Sequence, residues 1–493
     1  MRKLALWAIA IFIGLPQASV AADRTIDYSH RGMFGNPAIS ANGRFVAVIP
    51  FRTQCDDTFG EQCLLVLDRK KDSIKNIVDT DFVDPLNRGI QGEGSNFTAS
   101  LSADGRYIAF DSTAPDLVKK DSNGWSDVFV FDQKTGDTSR VSVSNSGRQG
   151  NDFSGSPKIS ATGRYVFFTS RASNLVKRDT NLAVDLFVRD RVKETTERVL
   201  SDIRSTIDYE ISADGRFLVY SENIGDVWLL DRRTGKETEL TADLANRRNE
   251  APSISQNGRF IVFSSGSSSG IRLQSYRYDQ KKNQFLQASK SNSGLAADRA
   301  TQDNLVSNNG RYIFFSTFAD NLFPGDDSTS RDIFVHDVRR RTTDMLSKDT
   351  DSIRFMSANR PAVSADGNVI VWNATASPSN GFTRIFVHDR GLRPAAPDTL
   401  APSKATKDRT PKFRWEAIAG SDKYHVEVID SKGRKINYKN VTPRQAKCTS
   451  GVGMCSRAWA REVLPKGRTA WRIRSYNISG WSKWSKRQRF TIQ

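Results

Sequence analysis

The chain has little of what metal and acid–base chemistry most often uses. Its 493 residues include four histidines and four cysteines. The cysteines fall in two close pairs, Cys55 with Cys63 and Cys448 with Cys455. Neither spacing is C-x-x-C and neither pair has a histidine nearby, which argues against a zinc or redox site and for two local disulfides formed in an oxidising compartment. Long hydrophobic runs are also missing. The one extended apolar stretch, Leu4 to Leu15, follows Arg2-Lys3 and precedes the small residues Ser19-Val20-Ala21. That is the pattern of a secretory signal over residues 1–21, too short to cross a bilayer. The mature chain is expected to begin at Ala22, to have no transmembrane span, and to be periplasmic or secreted. Residues 22–391 lack any excess of charge, with 48 basic residues against 48 acidic ones. Residues 392–493 hold 23 Lys/Arg against seven Asp/Glu. The whole positive excess of the mature protein therefore sits in its last hundred or so residues, a statement about partners rather than fold. An exported protein meets little nucleic acid, so the expected partners of this segment are anionic polymers or a membrane surface.

What the chain does have is a repeated turn. Seven copies run from Ser40-Ala41-Asn42-Gly43-Arg44-Phe45 through Ser102-Ala103-Asp104-Gly105-Arg106-Tyr107 to Ser364-Ala365-Asp366-Gly367-Asn368-Val369, with glycines 43 to 62 residues apart. Asn-Gly or Asp-Gly between apolar runs signals a hairpin whose turn residues take positive φ. Each copy leads into a short apolar strand such as Tyr107-Ile108-Ala109-Phe110. A later strand ends in Asp, as in Val128-Phe129-Val130-Phe131-Asp132 and Ile385-Phe386-Val387-His388-Asp389. A hairpin repeat of this period is the signature of a propeller with one four-stranded blade per repeat. The seventh repeat lacks its last strand, because prolines follow Asp389. Arg24 to Ser29 reads as the missing strand. The expectation is an all-β fold, a seven-bladed propeller over residues 22–392 closed by its N-terminal strand.

The repeat S-A-D-G-R-Y-I-A-F followed by D-V-F-V-F-D resembles the TolB-type propeller repeat, related to WD-repeat propellers. The resemblance covers roughly Asn36 to Arg390. It implies a periplasmic or secreted propeller that binds another macromolecule, an envelope or extracellular protein or glycan. The chain lacks the α/β domain that precedes the propeller in TolB and has more repeats, so the role of TolB itself does not carry over.

A proline-rich linker is expected over residues 393–409. Beyond it, Phe413-Arg414-Trp415, Tyr424 to Asp430, Trp471 to Asn477 and Arg489 to Ile492 read as strands of a β-sandwich. Residues 410–493 resemble a fibronectin type III domain, on Trp415, on Tyr424-His425-Val426-Glu427-Val428 and on the stretch from Trp471 to Trp484. Trp481-Ser482-Lys483-Trp484-Ser485 resembles the W-S-x-W-S box of cytokine-receptor fibronectin domains, where tryptophans stack on arginines of the preceding strand. The resemblance gives Arg472 and Arg474 that part here. Two readings stand: a folding ladder, or a sugar- or headgroup-binding face of Trp481, Trp484, Arg472, Arg474, Arg487 and Arg489.

Three repeats carry long loops between their second and third strands, with oxygen donors at Asp121, Asn123 and Asp127, at Asp179, Asn181 and Asp185, and at Asp326 and Asp332. The spacing suits either calcium or side chains that cap their own turns. No other cofactor is indicated. These loops share one rim of the ring, opposite the repeated turns, and a rim of loops on a rigid scaffold is the expected recognition surface. Catalysis is not expected. Gly266-Ser267-Ser268-Ser269-Gly270 matches G-x-S-x-G but lacks the following helix of a nucleophile elbow. The reading is an exported, non-catalytic binding protein. The alternative is a polysaccharide-active enzyme whose carboxylates meet in the funnel of the ring.

Overall fold

The computed structural model describes residues 24–26, 33–34, 36–51, 63–79, 98–203, 208–221, 225–242, 247–267, 272–326, 330–348, 354–377, 383–391, 397–418, 421–443, 445–448, 454–458, 463–477 and 480–493. The expected signal and Cys55 lie outside them, as does most of the N-terminal part of the expected linker.

The fold is all-β, with no helix among the described residues. Seven antiparallel sheets have four strands each. The second shows the common pattern: Ala99–Leu101, Tyr107–Ser112, Asp127–Asp132 and Thr138–Arg140, paired in sequence order. Alternate side chains of each middle strand pack against the sheet before and the sheet after. Phe110 and Phe129 join Ala47 and Val66 of the first sheet, while Ala109 and Val130 join Val166 and Phe187 of the third. Burial on both faces explains the unbroken apolar runs of these strands. The seventh sheet consists of Arg354–Val363, Val369–Ser377 and Thr383–Asp389, and its fourth strand is the N-terminal Arg24–Ile26, with Arg24 opposite Val387. Val369, Val371, Ile385 and Val387 of this sheet share a core with Val46, Val48 and Leu65 of the first.

The repeated turns are wider than a two-residue hairpin. Ser102 Oγ donates to Asp104 Oδ1 at 2.9 Å and accepts from the Tyr107 N–H at 2.9 Å, and Asp104 Oδ1 also accepts from the Arg106 N–H at 3.0 Å. Only the glycine is left-handed (Gly105, φ 74°). The expectation of two positive-φ residues is corrected, because the Ser and Asp side chains supply the hydrogen bonds that close the turn. Successive turns are stitched together through their backbones. The Asn42 N–H donates to Ala103 O, Ala103 to Ala161, Ala161 to Ala213, Ala213 to Gln256, Asn308 to Ala365, and Ala365 back to Ala41, at 2.7–3.3 Å. The Asn257 N–H bonds the side chain of Asn308 in the next turn, at Oδ1, 2.8 Å away. Ala41, Ala103, Ala161, Ala213 and Ala365 form a buried cluster among these turns.

The C-terminal region packs a three-stranded sheet (Thr399–Ala401, Phe413–Glu416, Met454–Arg457) on a five-stranded one (Lys435–Val441, Lys423–Ile429, Gly467–Asn477, then Gly480–Trp481 and Gln488–Ile492). Trp415, Tyr424, Trp471 and Phe490 fill the space between them. Thr399–Ala401 pairs with Phe413–Glu416, so this sheet begins inside the segment expected to be linker. Cys448 and Cys455 are joined by a disulfide. The region contacts the ring at its turn end: Asn477 Nδ2 donates to Asp366 Oδ2 at 3.0 Å, and Asn42 Nδ2 to Asp422 Oδ1 at 3.4 Å.

Candidate functional site

The most repeated residues do structural work. Arg106 forks onto Asp132, Nε to Oδ1 at 2.8 Å and Nη2 to Oδ2 at 2.5 Å, while its guanidinium lies over the Tyr107 ring. The same fork joins Arg44 to Asp68, Arg164 to Asp190, Arg216 to Asp231, Arg259 to Asp279 and Arg311 to Asp337. Hydrogen bonding from Arg164 holds the Asp190 carboxyl down at about 2. Six of the seven turn glycines face an aromatic ring of the preceding sheet, and Gly43 faces Val369; a Cβ on Gly163 would lie 2.2 Å from Tyr107. In the seventh turn Asn368 replaces the arginine, and Arg69 of the first sheet takes Asp389 instead, at 2.8 Å, with both side chains buried. At the turn end the forks brace each sheet against its own turn, while the glycine contacts and the turn backbones join one sheet to the next.

At the opposite end the loop carboxylates are held by arginines. Arg140 Nη1 lies 2.9 Å from Asp121 and 3.0 Å from Asp127, and Asn123 Nδ2 donates to Asp127 at 2.9 Å. Arg198 Nη1 repeats this on Asp179 and Asp185, with Asn181 on Asp185. A guanidinium thus stands where the calcium reading would put a cation in these two loops. Asn123 and Asn181 also cap their turns, accepting from the Trp125 and Ala183 N–H groups. In the third loop Asp332 accepts from Ser347 Oγ at 2.7 Å, and Asp326 N–H bonds Phe323 O. No cluster of three or more metal-ligating side chains occurs among the described residues.

The C-terminal candidates do come together. Arg472 lies over Trp484, and Arg474 over both Trp481 and Trp484, at 4.4–4.6 Å. Two features of this ladder escaped the sequence reading. His425 sits edge-on to both tryptophans and accepts from Arg474 through Nδ1 at 3.2 Å, which leaves its Nε2–H to donate to Asn437. Burial, with Arg474 and Lys439 nearby, lowers the pKa of this imidazole, against the hydrogen bond to Asn437. Glu427 pairs with Arg472 at 2.7 Å. Strand alternation alone marks both, since His425 and Glu427 stand opposite Arg474 and Arg472. The same outer sheet face presents Lys435, Lys439, Arg468 and the exposed Arg489, while Arg487 is exposed just before the last strand. Glu427 is the carboxylate of that face among the described residues.

A second group lies where the first strands of neighbouring sheets meet. Four of these strands carry a bulge with a left-handed non-glycine residue: Ser156, Ala251, Asp303 and Arg360, φ 51–53°. Beside them Lys158 pairs with Glu210 at 2.8 Å and Arg248 with Glu250 at 2.8 Å, and Ser316 Oγ donates to Asp303 at 2.7 Å. Burial raises the Asp208 carboxyl, with Glu250 and Asp303 adding to the rise and Lys158 opposing it. Asp111 lies beside this group and is pushed up to about 7 by burial, despite accepting from Thr98. Bulges re-aim side chains and non-glycine left-handed residues concentrate at functional positions. The sequence reading missed this group because a bulge breaks the period-two pattern that reveals a strand.

No family model matches the chain, and no curated protein matches it. Among solved structures it is similar to the β-propeller domain of the Trilobed protease from Pyrococcus furiosus, at 13% identity over 73% of this chain and 96% of that one, TM-score 0.48. It is similar also to an oligogalacturonate lyase from Vibrio parahaemolyticus, at 10% identity over 73% of this chain and 90% of that one, TM-score 0.46. A third is TolB from Acinetobacter baumannii, at 14% identity over 68% of this chain and 77% of that one, TM-score 0.35. The structural neighbours are β-propellers, TolB proteins among them, and they include both enzymes and binding proteins.

Proposed function

We propose that the chain is an exported, non-catalytic binding protein, built as a closed seven-bladed propeller carrying a fibronectin type III-like domain. The hydrogen bonds between successive turns and the strand Arg24–Ile26 support closure. The three-on-five sandwich with its Trp–Arg ladder supports the second domain. The domain docks on anionic envelope material. The observation that carries this is its outer sheet face, where Lys435, Lys439, Arg468 and Arg489 surround the ladder and Glu427 is already paired with Arg472. The ladder stiffens the face and holds its own arginines, so the peripheral cations are the ones left to meet a polyanion.

The test uses immobilised lipopolysaccharide and the full mature chain. Capture is expected at low salt, lost at about 0.5 M salt because exposed charges are then screened. A variant carrying K435Q, K439Q, R468Q and R489Q is expected to bind at least about tenfold more weakly. Unchanged capture by that variant contradicts the assignment.

A second reading, a polysaccharide-active enzyme, is favoured by Asp208, Glu210, Glu250 and Asp303 where the first strands of neighbouring sheets meet. Under it, Asp208→Asn and Glu250→Gln together remove turnover of an acidic glycan without unfolding the ring. Absence of any turnover by the parent chain across acidic glycans disposes of it.

A further inference from the structure

The loop end of the ring carries a surface that the reading above does not use. In the second sheet the loop is Asp116-Leu117-Val118-Lys119-Lys120-Asp121, and in the third Asn174-Leu175-Val176-Lys177-Arg178-Asp179. Lys120 and Arg178 hold equivalent left-handed positions, φ 65° and 61°, where the sixth sheet has Gly325 at φ 83°. Three residues after Asp121 and Asp179 the pattern recurs. Leu182, at φ 54°, stands where the second sheet has Gly124 at φ 71°. Glycine takes this backbone freely and L-residues resist it. Three side chains are thus kept at positions where the fold itself uses glycine, and all three point to solvent. Leu182 is 71% exposed and Trp125, beside Gly124, is 38% exposed.

The two loops form one surface. Gln149 Nε2 donates to Ser122 Oγ at 3.0 Å, Asn123 Nδ2 to Gly150 O at 3.0 Å, and Asn174 Nδ2 to Gln149 O at 2.9 Å. Arg171 Nε donates to Leu182 O at 3.3 Å and props the tip outward. The local carboxylates Asp121, Asp127, Asp179 and Asp185 are occupied by Arg140 and Arg198. Lys119, Lys120, Lys177 and Arg178 are exposed, and Asp116 is the exposed acid among them.

We propose that this rim seats the protein on an anionic lipid bilayer, through Leu182 and Trp125 in the headgroup layer and Lys119, Lys120, Lys177 and Arg178 on lipid phosphates. Apolar tips ringed by cations match such an interface: the apolar groups partition into the boundary region and the long basic side chains reach back to the charged plane. A protruding leucine offers nothing to the hydroxyls of a glycan. The C-terminal domain contacts the opposite end, through Asn477 and Asn42, so it leaves this rim open.

The experiment uses the full mature chain carrying K435Q, K439Q, R468Q and R489Q, so that failure of the envelope-docking reading is separate from failure of this one. Phosphatidylglycerol vesicles are compared with phosphatidylcholine vesicles by co-sedimentation, and with brominated lipid by quenching of tryptophan fluorescence. Binding to the anionic vesicles is expected, with quenching that disappears in Trp125→Phe. Lys120→Gly with Arg178→Gly should weaken binding about 25-fold, at about fivefold for each charge. Leu182→Gly should remove most of the quenching. Gly325 and Gly124 show that the backbone accepts these glycines, so a folding defect does not confound the result. No binding to the anionic vesicles, quenching that persists in Trp125→Phe, or undiminished binding by the double glycine variant overturns the proposal.

Discussion

The two ends of the ring are built on opposite principles. At the turn end the sheets repeat one solution: a Ser–Asp turn, a glycine under an aromatic ring, and an Arg–Asp fork beneath it. At the loop end the repeats diverge, and residues sit where glycine would be easier. The repeated turn residues are used up within and between the sheets, whereas the loop end keeps exposed side chains at positions where another sheet has glycine. The contrast also inverts the usual weight of a motif, since the most repeated residues of this chain are the least available.

The contrast can be broken first at the glycines. Gly163→Ala puts a Cβ 2.2 Å from Tyr107 at φ 75° and should cost about 3–4 kcal/mol of stability in urea unfolding. Gly124→Ala, at φ 71° with open space around it, should cost about 1 kcal/mol. Equal costs would show that the turn end is not tightly packed. The next largest effect is expected across the seam between the last and first sheets. Arg69→Met leaves the buried Asp389 carboxylate with neutral donors such as Asn368 Nδ2 in place of its guanidinium and should cost about 3 kcal/mol, because the buried charge loses its counter-charge. A loss under about 1 kcal/mol would mean that the seam is held by its apolar core and not by the ion pair.

Asp111 gives a pH signature. Its folded pKa of about 7 lies above the ordinary carboxylate value of 3.8. Between those values the folded state binds the proton and the unfolded state does not, so stability falls as pH rises from about 4 to about 7 and then levels. Asp111→Asn should flatten that slope and gain about 4 kcal/mol relative to the parent above pH 7, at about 1.4 kcal/mol per unit. Parallel pH profiles for the two proteins would contradict the burial of that carboxyl. The smallest effect belongs to the loop end. Lys120→Gly with Arg178→Gly should leave stability unchanged or raise it by up to about 1 kcal/mol, since relief of the left-handed strain offsets the entropy of glycine.

The turns, the apolar middle strands and the closing Asp of each third strand were legible in the sequence, because hairpin chemistry and period-two patterning are local. So were the Cys448–Cys455 bridge and the Trp–Arg ladder, whose partners lie within one or two strands. The first strands were not. The register of Ser154–Ile159 slips between Gly155 and Lys158, and with it the alternation that marks a strand. Arg140 and Arg198 were missed for a different reason: each leaves the fourth strand of its sheet to reach carboxylates 13 to 19 residues earlier, in a loop whose spacing suggests a metal. Thr399–Ala401 was hidden by the prolines around it, although a short edge strand tolerates them.

The most direct test of a structural turn end and a binding loop end is covalent lysine labelling of the full mature chain carrying K435Q, K439Q, R468Q and R489Q, with and without phosphatidylglycerol vesicles, read out by mass spectrometry. Lys119, Lys120 and Lys177 at the loop end should be protected, while the exposed Lys134, Lys193 and Lys236 beside the turn end label as before. Protection spread evenly over both sets, or confined to the turn end, would contradict the account.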